Sequence, residues 1–542
     1  MIVDCRWWCV AGGALALALA ACGDDGGAST ESTGAGPGAG PGATSAAETT
    51  GGTGGTGATM GATGATGASA GTTTDGSTSV VSTSLATEPL FDVGDPDMPV
   101  ELECSGDLHD VIDGQGEVVE SCAPDLGCLD GACVPACEAA AASEANFGCE
   151  FRPPTPPSYP YALPPCFAVF MANAWGHPAQ LEVWRDGQAL DIAGFARLVT
   201  PGLDPEDWPP LPDAGLPGGA VGVLFLSSDP NAIMPENQVP LTCPTTPAVD
   251  ASTQVDGTGR SAAFEITSDI PLTAYDILPF GGARSHFPSA ELLFPTSVWG
   301  DNYVTVVPPK GTHNVPGPLW MQIVGLEDGT SVDVLSGAQI VAGGGLQGAN
   351  ANEPAAYTVD AGEYLQLEFA AGAGDGSGTI VKSDKPVAVH TGNRFLRLQP
   401  MTQPGGEATH QQLSAVTALG VEYVAAPYET RRADLEPEEV DYRAVGVVDG
   451  TQLTYDPAIP GAPATLDQGE VVDFATALPF TVASQGDGNP FSLTQLMDTA
   501  NVPGGTRPGA TAPGFPPMLG DEEWVVVLPP GQFMNRYVFF TD

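Results

Sequence analysis

Six histidines, His109, His177, His286, His313, His390 and His410, and 66 acidic side chains are the groups in this sequence that could move protons. A zinc protease would need two histidines at the spacing of H-E-x-x-H, which puts both on one face of a helix. That spacing is absent, and so are a P-loop and a correctly placed dinucleotide fingerprint. Gly67-Ala68-Ser69-Ala70-Gly71 fits the hydrolase pattern G-x-S-x-G. The pattern works only between a strand and a helix, and here it lies in a run of Gly, Ala, Thr and Ser, so the match is compositional. His390 falls in the alternating run Val387–Thr391 and reads as a strand residue, while His286 beside Arg284 reads as a surface residue in a Gly-rich loop. A glycosidase needs two particular carboxylates facing one bond, and an abundance of acids singles out no pair. Asp328, Asp449, Asp375-Gly376-Ser377-Gly378 and Asp487-Gly488-Asn489 read as turns, since the calcium-loop pattern D-x-[DN]-x-[DN]-G is absent. No catalytic residue, metal ligand or cofactor is assigned, and a secreted hydrolase is the weakest of three function classes.

The eleven cysteines carry clearer chemistry. Val10–Ala21 is an apolar run of twelve residues, too short for a bilayer span of about 20 but suited to a signal-peptide core. Leu19-Ala20-Ala21-Cys22 resembles a bacterial lipobox. That resemblance implies a signal peptide over 1-21, a diacylglyceryl group on the Cys22 thiol and cleavage in front of it. With Gly23 rather than an aspartate next, it implies an outer-membrane, cell-surface destination in a Gram-negative cell. Cys5 and Cys9 leave with the leader. Eight remain: Cys104, Cys122, Cys128, Cys133, Cys137, Cys149, Cys166 and Cys243. An even number in an exported chain reads as a disulfide framework of four bridges. Without any C-x-x-C pair, zinc is the weaker reading. Spacing alone leaves connectivity open; a Cys166–Cys243 bridge is expected because these two flank one β-rich unit.

The chain has 542 residues and a net charge of −50, with only 16 basic side chains and none between Arg6 and Arg152. Such a surface has no electrostatic footprint for nucleic acid and is repelled by anionic membrane. The lipid on Cys22 would overcome that repulsion. Residues 22-100 are dominated by Gly, Ala, Thr, Ser and Pro. They have too little apolar mass to offset the entropy of ordering and are expected to form a disordered tether. A flexible linker of about 65 residues spans roughly 45 Å.

The elements that would position any site are strands. Beyond Cys166 the chain alternates short apolar runs with Gly, Pro and Asp turns, and no long stretch keeps a helical period. The expectation is an all-β fold. The runs also recur. Ser268-Asp269-Ile270-Pro271 returns as Ser383-Asp384-Lys385-Pro386, and Glu327-Asp328-Gly329-Thr330 as Val448-Asp449-Gly450-Thr451. Trp299-Gly300 with Tyr303 returns as Leu419-Gly420 with Tyr423, and Tyr303–Pro309 returns as Trp524–Pro530. Asp-Gly marks tight turns, and the Ser-Asp-x-Pro proline removes a ladder donor where a strand begins or shifts. The repeats predict tandem β-sandwich-like modules, or alternatively a propeller-like arrangement. The expected divisions are a cysteine-rich neck at 101-165, modules at 166-290, 291-410 and 411-518, and the start of an incomplete unit at 519-542.

The order of these motifs resembles proteins with an IgG Fc-binding-protein N-terminal domain, including myxobacterial-type cell-surface lipoproteins. Phe264–Pro279, Ala290–Val307, Met321–Val334, Gly378–Asn393 and His410–Pro427 carry it, with Gln411-Gln412 and Leu419-Gly420-x-x-Tyr423 among the specific pieces. The resemblance runs from about Cys104 to Asp542. It implies a binding or adhesive role with an unknown protein or glycan ligand at the cell surface. Two departures stand out. The paired cysteines common in the loop between Arg394 and His410 are absent, leaving Arg394, Arg397 and His410 there, and the chain stops at Asp542 where such proteins usually continue. The rival to a binding role is a structural envelope protein that assembles with its own copies.

Overall fold

The computed structural model of the chain describes residues 102–159, 164–234, 239–280, 288–309, 318–371, 374–398, 406–498, 505, 507, 520 and 522–533. The leader, Cys22, the 22-100 tether, Arg284, His286, His313 and the Tyr537–Asp542 segment lie outside them. Apart from two short helices, Ala136–Ala142 and Ile192–Phe195, and a few 3-10 turns, the described residues form strands and loops, giving a mostly β protein.

The neck holds a three-stranded sheet (Glu103–Cys104, Asp110–Ile112, Val118–Ser121) and a hairpin of Leu126–Leu129 with Ala132–Pro135. The hairpin turns on Asp130-Gly131, both at positive φ, as a two-residue turn demands. Val118 and Val119 are exposed, and few neck side chains are buried. Disulfides do what a core would do elsewhere. Cys104–Cys128, Cys122–Cys133 and Cys137–Cys149 close short loops, and the last ties the Ala136–Ala142 helix to the strand Gly148–Phe151. Cys166–Cys243 is the fourth bridge, spanning the first β-unit from the residue before Phe167–Ala172 to the loop beyond Val221–Ser227.

Three β-units follow, built around long strands that change sheets midway. In the first, β1 (Phe264–Leu278) pairs through Phe264–Ser268 with Leu181–Arg185 and through Thr273–Ile277 with Phe167–Ala172. Gly148–Phe151 joins its first half and β2 (Ser289–Leu293) its second. In the second unit β3 (Ile380–Leu396) does the same, with Thr330–Leu335 and Gly300–Val304 on its first half and Leu319–Gly325 and β4 (Glu407–Leu413) on its second. In the third the long strand is broken into β5 (Phe480–Ser484) and β6 (Phe491–Met497). Glu422–Ala425 and Thr451–Asp456 flank β5, whereas Val440–Gly446 and β7 (Glu523–Val526) flank β6. The units thus share one sandwich-like plan of two half-sheets.

Packing explains the burial patterns. Thr330–Leu335 alternates buried and exposed, covering a core on one face only. Leu319–Gly325 is buried at every position. One side of it faces a core containing Met321, Ile323, Val389 and Leu365. The other is covered by the extended segment around Thr155, whose carbonyl accepts from Gln322 Nε2 at 2.9 Å. The core of the second unit runs without a break into Val445, Leu496 and Trp524 of the third. Full burial of each such side chain contributes roughly 1.5–3 kcal/mol.

Two placements differ from the sequence reading. Arg394 and His410 are not loop residues: β3 continues through Arg394 to Leu396, and His410 lies within β4, both ends being buried. Buried on both faces, these stretches lack the alternation that announces a strand. In addition, Glu523–Val526 takes beside β6 the place that β2 and β4 take beside their long strands. The echo of Tyr303–Pro309 in Trp524–Pro530 therefore pairs an opening strand with a closing one; both run into a proline-led stretch.

Candidate functional site

The repeated turn residues are occupied by the backbone. In the second unit Asp328 Oδ1 accepts from Ala361 N at 3.2 Å, and Asp360 Oδ1 accepts from Gly329 N at 2.8 Å, so two turns clasp each other. In the third, Asp449 Oδ1 accepts from Gln468 N and Asp467 Oδ1 from Gly450 N, each at 2.9 Å. Gly329 and Gly450 have φ of 63° and 71°, where a Cβ is strained. Asp269 Oδ1 accepts from Gln180 N at 2.7 Å and Asp384 Oδ1 from Ser331 N at 2.8 Å, each next to or at the start of the strand beside the long one. Pro271 and Pro386 close four-residue bulges: Ser268–Pro271 stands opposite Cys149, and Ser383–Pro386 opposite Asp301. This is where β1 and β3 change sheets, so Ser-Asp-x-Pro is a sheet-switching device.

The concentrated chemistry lies elsewhere, between the first and second units. Asp276 on β1 and Glu291 on β2 are direct cross-strand partners. His390 on β3 and His410 on β4 reach them from the second unit. His410 Nε2 lies 2.7 Å from Asp276 Oδ1 and 4.0 Å from Glu291 Oε1, while His390 Nδ1 lies 2.8 Å from Glu291 Oε1. All four residues are at most 3% exposed. Asp276 Oδ2 and Glu291 Oε2 have no hydrogen-bond donor, and His390 Nε2 has no partner. Ser289 Oγ accepts from His410 N and fixes the local backbone.

Such burial disfavours charge, and neighbours then separate the groups. Burial, reinforced by the charge of Asp276, pushes the Glu291 carboxyl well above its ordinary range. Burial drives His390 down to about 3. Burial opposes charge on His410 too, but Asp276 and Glu291 together hold it above the ordinary histidine value. The arrangement can share protons or hold a cation. Asp276, Glu291 and His410 can each offer a ligand atom, all within 4.8 Å of one another.

The fold does not require this cluster. Counting from the switch proline of each long strand and from the residue before each 3-10 turn, the equivalents of Asp276, Glu291, His390 and His410 at the next junction are Thr391, Gln411, Thr494 and Trp524. Thr391 and Gln411 are cross-strand partners just as Asp276 and Glu291 are. That second junction is fastened by an apolar core and by Arg443, which bridges Asp375 at 2.6 Å and Asp473 at 2.7 Å.

Sequence reasoning saw His390 as a strand residue and did not single out Asp276 or Glu291. The available signal was a charge inside each of two buried-strand patterns, Thr273–Leu278 and Ser289–Phe294. No curated protein and no solved structure matches the chain. Residues 289–542, from β2 onward, match the family model described as IgGFc binding protein, and this stretch is therefore IgGFc-binding-like, of a binding family rather than an enzyme family.

Proposed function

We propose that this chain is a lipid-anchored cell-surface protein that binds a protein ligand through its β-units and performs no catalysis. The match of residues 289–542 to the IgGFc binding protein family carries the reading. Three further observations support it. The eight exported-type cysteines pair in four bridges across the neck and the first unit. The lipobox-like Leu19–Cys22 precedes a tether-like stretch. The buried Asp276–Glu291–His390–His410 cluster sits inside a junction, closed to a polymeric substrate. Such a chain would recognise its partner over an extended surface of exposed loops and strand edges, where a few central side chains dominate the affinity.

The test is to express the full chain in a Gram-negative host and follow both anchor and binding. Fatty-acid label should enter the wild type and not Cys22→Ala. Intact cells carrying the wild type should retain a protein ligand drawn from a panel that includes antibody Fc, while Cys22→Ala cells should lose chain and ligand to the medium. Label retained in Cys22→Ala contradicts the anchor. A protein that captures nothing and polymerises with itself contradicts the binding role and favours an envelope scaffold.

A further inference from the structure

We propose that Asp276, Glu291 and His410 bind a divalent ion of the zinc class at the junction of the first and second units, with His390 positioning Glu291. Three observations carry this. First, the ligand atoms come from β1, β2 and β4 and already lie within 4.8 Å of one another. Ligands at about 2.0–2.2 Å around a tetrahedral zinc stand about 3.4 Å apart, so His410 Nε2 would give up its 2.7 Å hydrogen bond and part slightly from Asp276 Oδ1 while the wider spacings close. Second, two carboxylate oxygens, Asp276 Oδ2 and Glu291 Oε2, are buried without any donor. Buried acceptors are ordinarily satisfied, and two carboxylates side by side ask for a positive centre. Third, the equivalent positions at the next junction are Thr391, Gln411, Thr494 and Trp524, so the shared fold makes no demand for ionisable groups there.

The donor set selects the ion. Imidazole with carboxylate suits zinc and its transition-metal neighbours, whereas calcium and magnesium take oxygen donors. With Glu291 ionised on the ion, His390 Nδ1, 2.8 Å from Glu291 Oε1, would donate to it and leave Glu291 Oε2 for the ion. A histidine holding a ligating carboxylate in this way acts as outer-shell support. All four side chains are at most 3% exposed, so the ion is enclosed and its role is to fasten two units rather than to activate water. The inference stands apart from the lipid anchor and from any surface ligand.

The test uses the full chain, expressed with zinc in the medium and freed of loose metal by gel filtration. Elemental mass spectrometry should find one zinc per chain in the wild type and in the surface control His177→Gln. Glu291→Gln and His410→Gln should lose it. His390→Gln should keep the stoichiometry but bind zinc about 10- to 100-fold more weakly. Stripping the wild type with a chelator should lower Tm, and zinc chloride should restore it. Should the variants fail to fold, cobalt loaded into the wild type keeps the proposal falsifiable: visible bands of a four-coordinate nitrogen–oxygen site support it, and their absence overturns it. A wild type with neither zinc nor a Tm response holds a shared proton only and overturns the proposal. Zinc kept equally by Glu291→Gln and His410→Gln is adventitious and also overturns it.

Discussion

Two tyrosines organise the entry into the later units. Tyr303 OH accepts from Gly300 N at 3.1 Å and donates to Val387 O at 2.6 Å; Tyr423 OH accepts from Gly420 N at 3.0 Å and donates to Phe491 O at 2.6 Å. Each hydroxyl thus ties the first strand of its unit to the residue just after the switch proline. Burial pushes both hydroxyls above the ordinary tyrosine range, so they stay neutral donors. Tyr303→Phe leaves a buried carbonyl and a backbone N–H unmatched, and chemical denaturation should show a loss of about 1–3 kcal/mol. These echoes were legible in the sequence because glycine, tyrosine and proline act within a few residues of one another. The Asp276–Glu291–His390–His410 cluster was not. His410 meets Asp276 across a separation of 134 residues; Asp276, Glu291 and His390 each look like one more position of a strand run, and His410 lies in a stretch without alternation.

At the scale of elements, the 3-10 turns set the spacing of successive units. A Cβ on Gly300 would come within 2.5 Å of the Ala415 Cβ, and one on Gly148 within 2.6 Å of the Pro295 Cβ. Ala415 and Pro295 each precede a 3-10 turn, Val416–Ala418 and Thr296–Val298. The opening glycine of one unit therefore lies against the turn that leads into the next. Gly300→Ala should lower stability by about 1–3 kcal/mol through overpacking. Gly337→Ala, with nothing within 4 Å of its added Cβ, should pack without conflict and serves as the control in the same thermal melt. Asp384→Ala removes the acceptor for Ser331 N at an exposed strand start, so the expected loss is smaller, about 0.5–1.5 kcal/mol. The Ser-Asp-x-Pro step read in the sequence as a strand start or shift. Only the structure shows one strand passing through it and exchanging partners, since hydrogen-bond partners hundreds of atoms away leave no local mark. In the third unit, where Gln485 replaces the aspartate, its Oε1 still accepts from Gln452 N at 2.7 Å, though the long strand is broken.

At the scale of the molecule, covalent and apolar fastening alternate along the chain. The neck depends on its three bridges, the first unit on Cys166–Cys243 and a core that also takes in Ala136 and Phe151 of the neck, and the second unit's core extends into the third, which has a further core around Tyr442 and Phe474. Cys166→Ser with Cys243→Ser opens a loop with a sequence separation of 77 and should cost about 2–5 kcal/mol in equilibrium unfolding. The charge of −50 favours solubility and repels anionic surfaces. Under the proposed lipid anchoring, the acidic body would stand away from the membrane and leave its units free to meet a partner. The central claim is that those units bind. The most direct measurement is an array of proteins and glycans probed with the purified full-length chain in detergent. The account predicts saturable, reproducible binding to at least one protein on the array, with no change to the bound molecule. Turnover of an arrayed polymer that is abolished by a single Asp or Glu substitution, with no ligand retained, would contradict it.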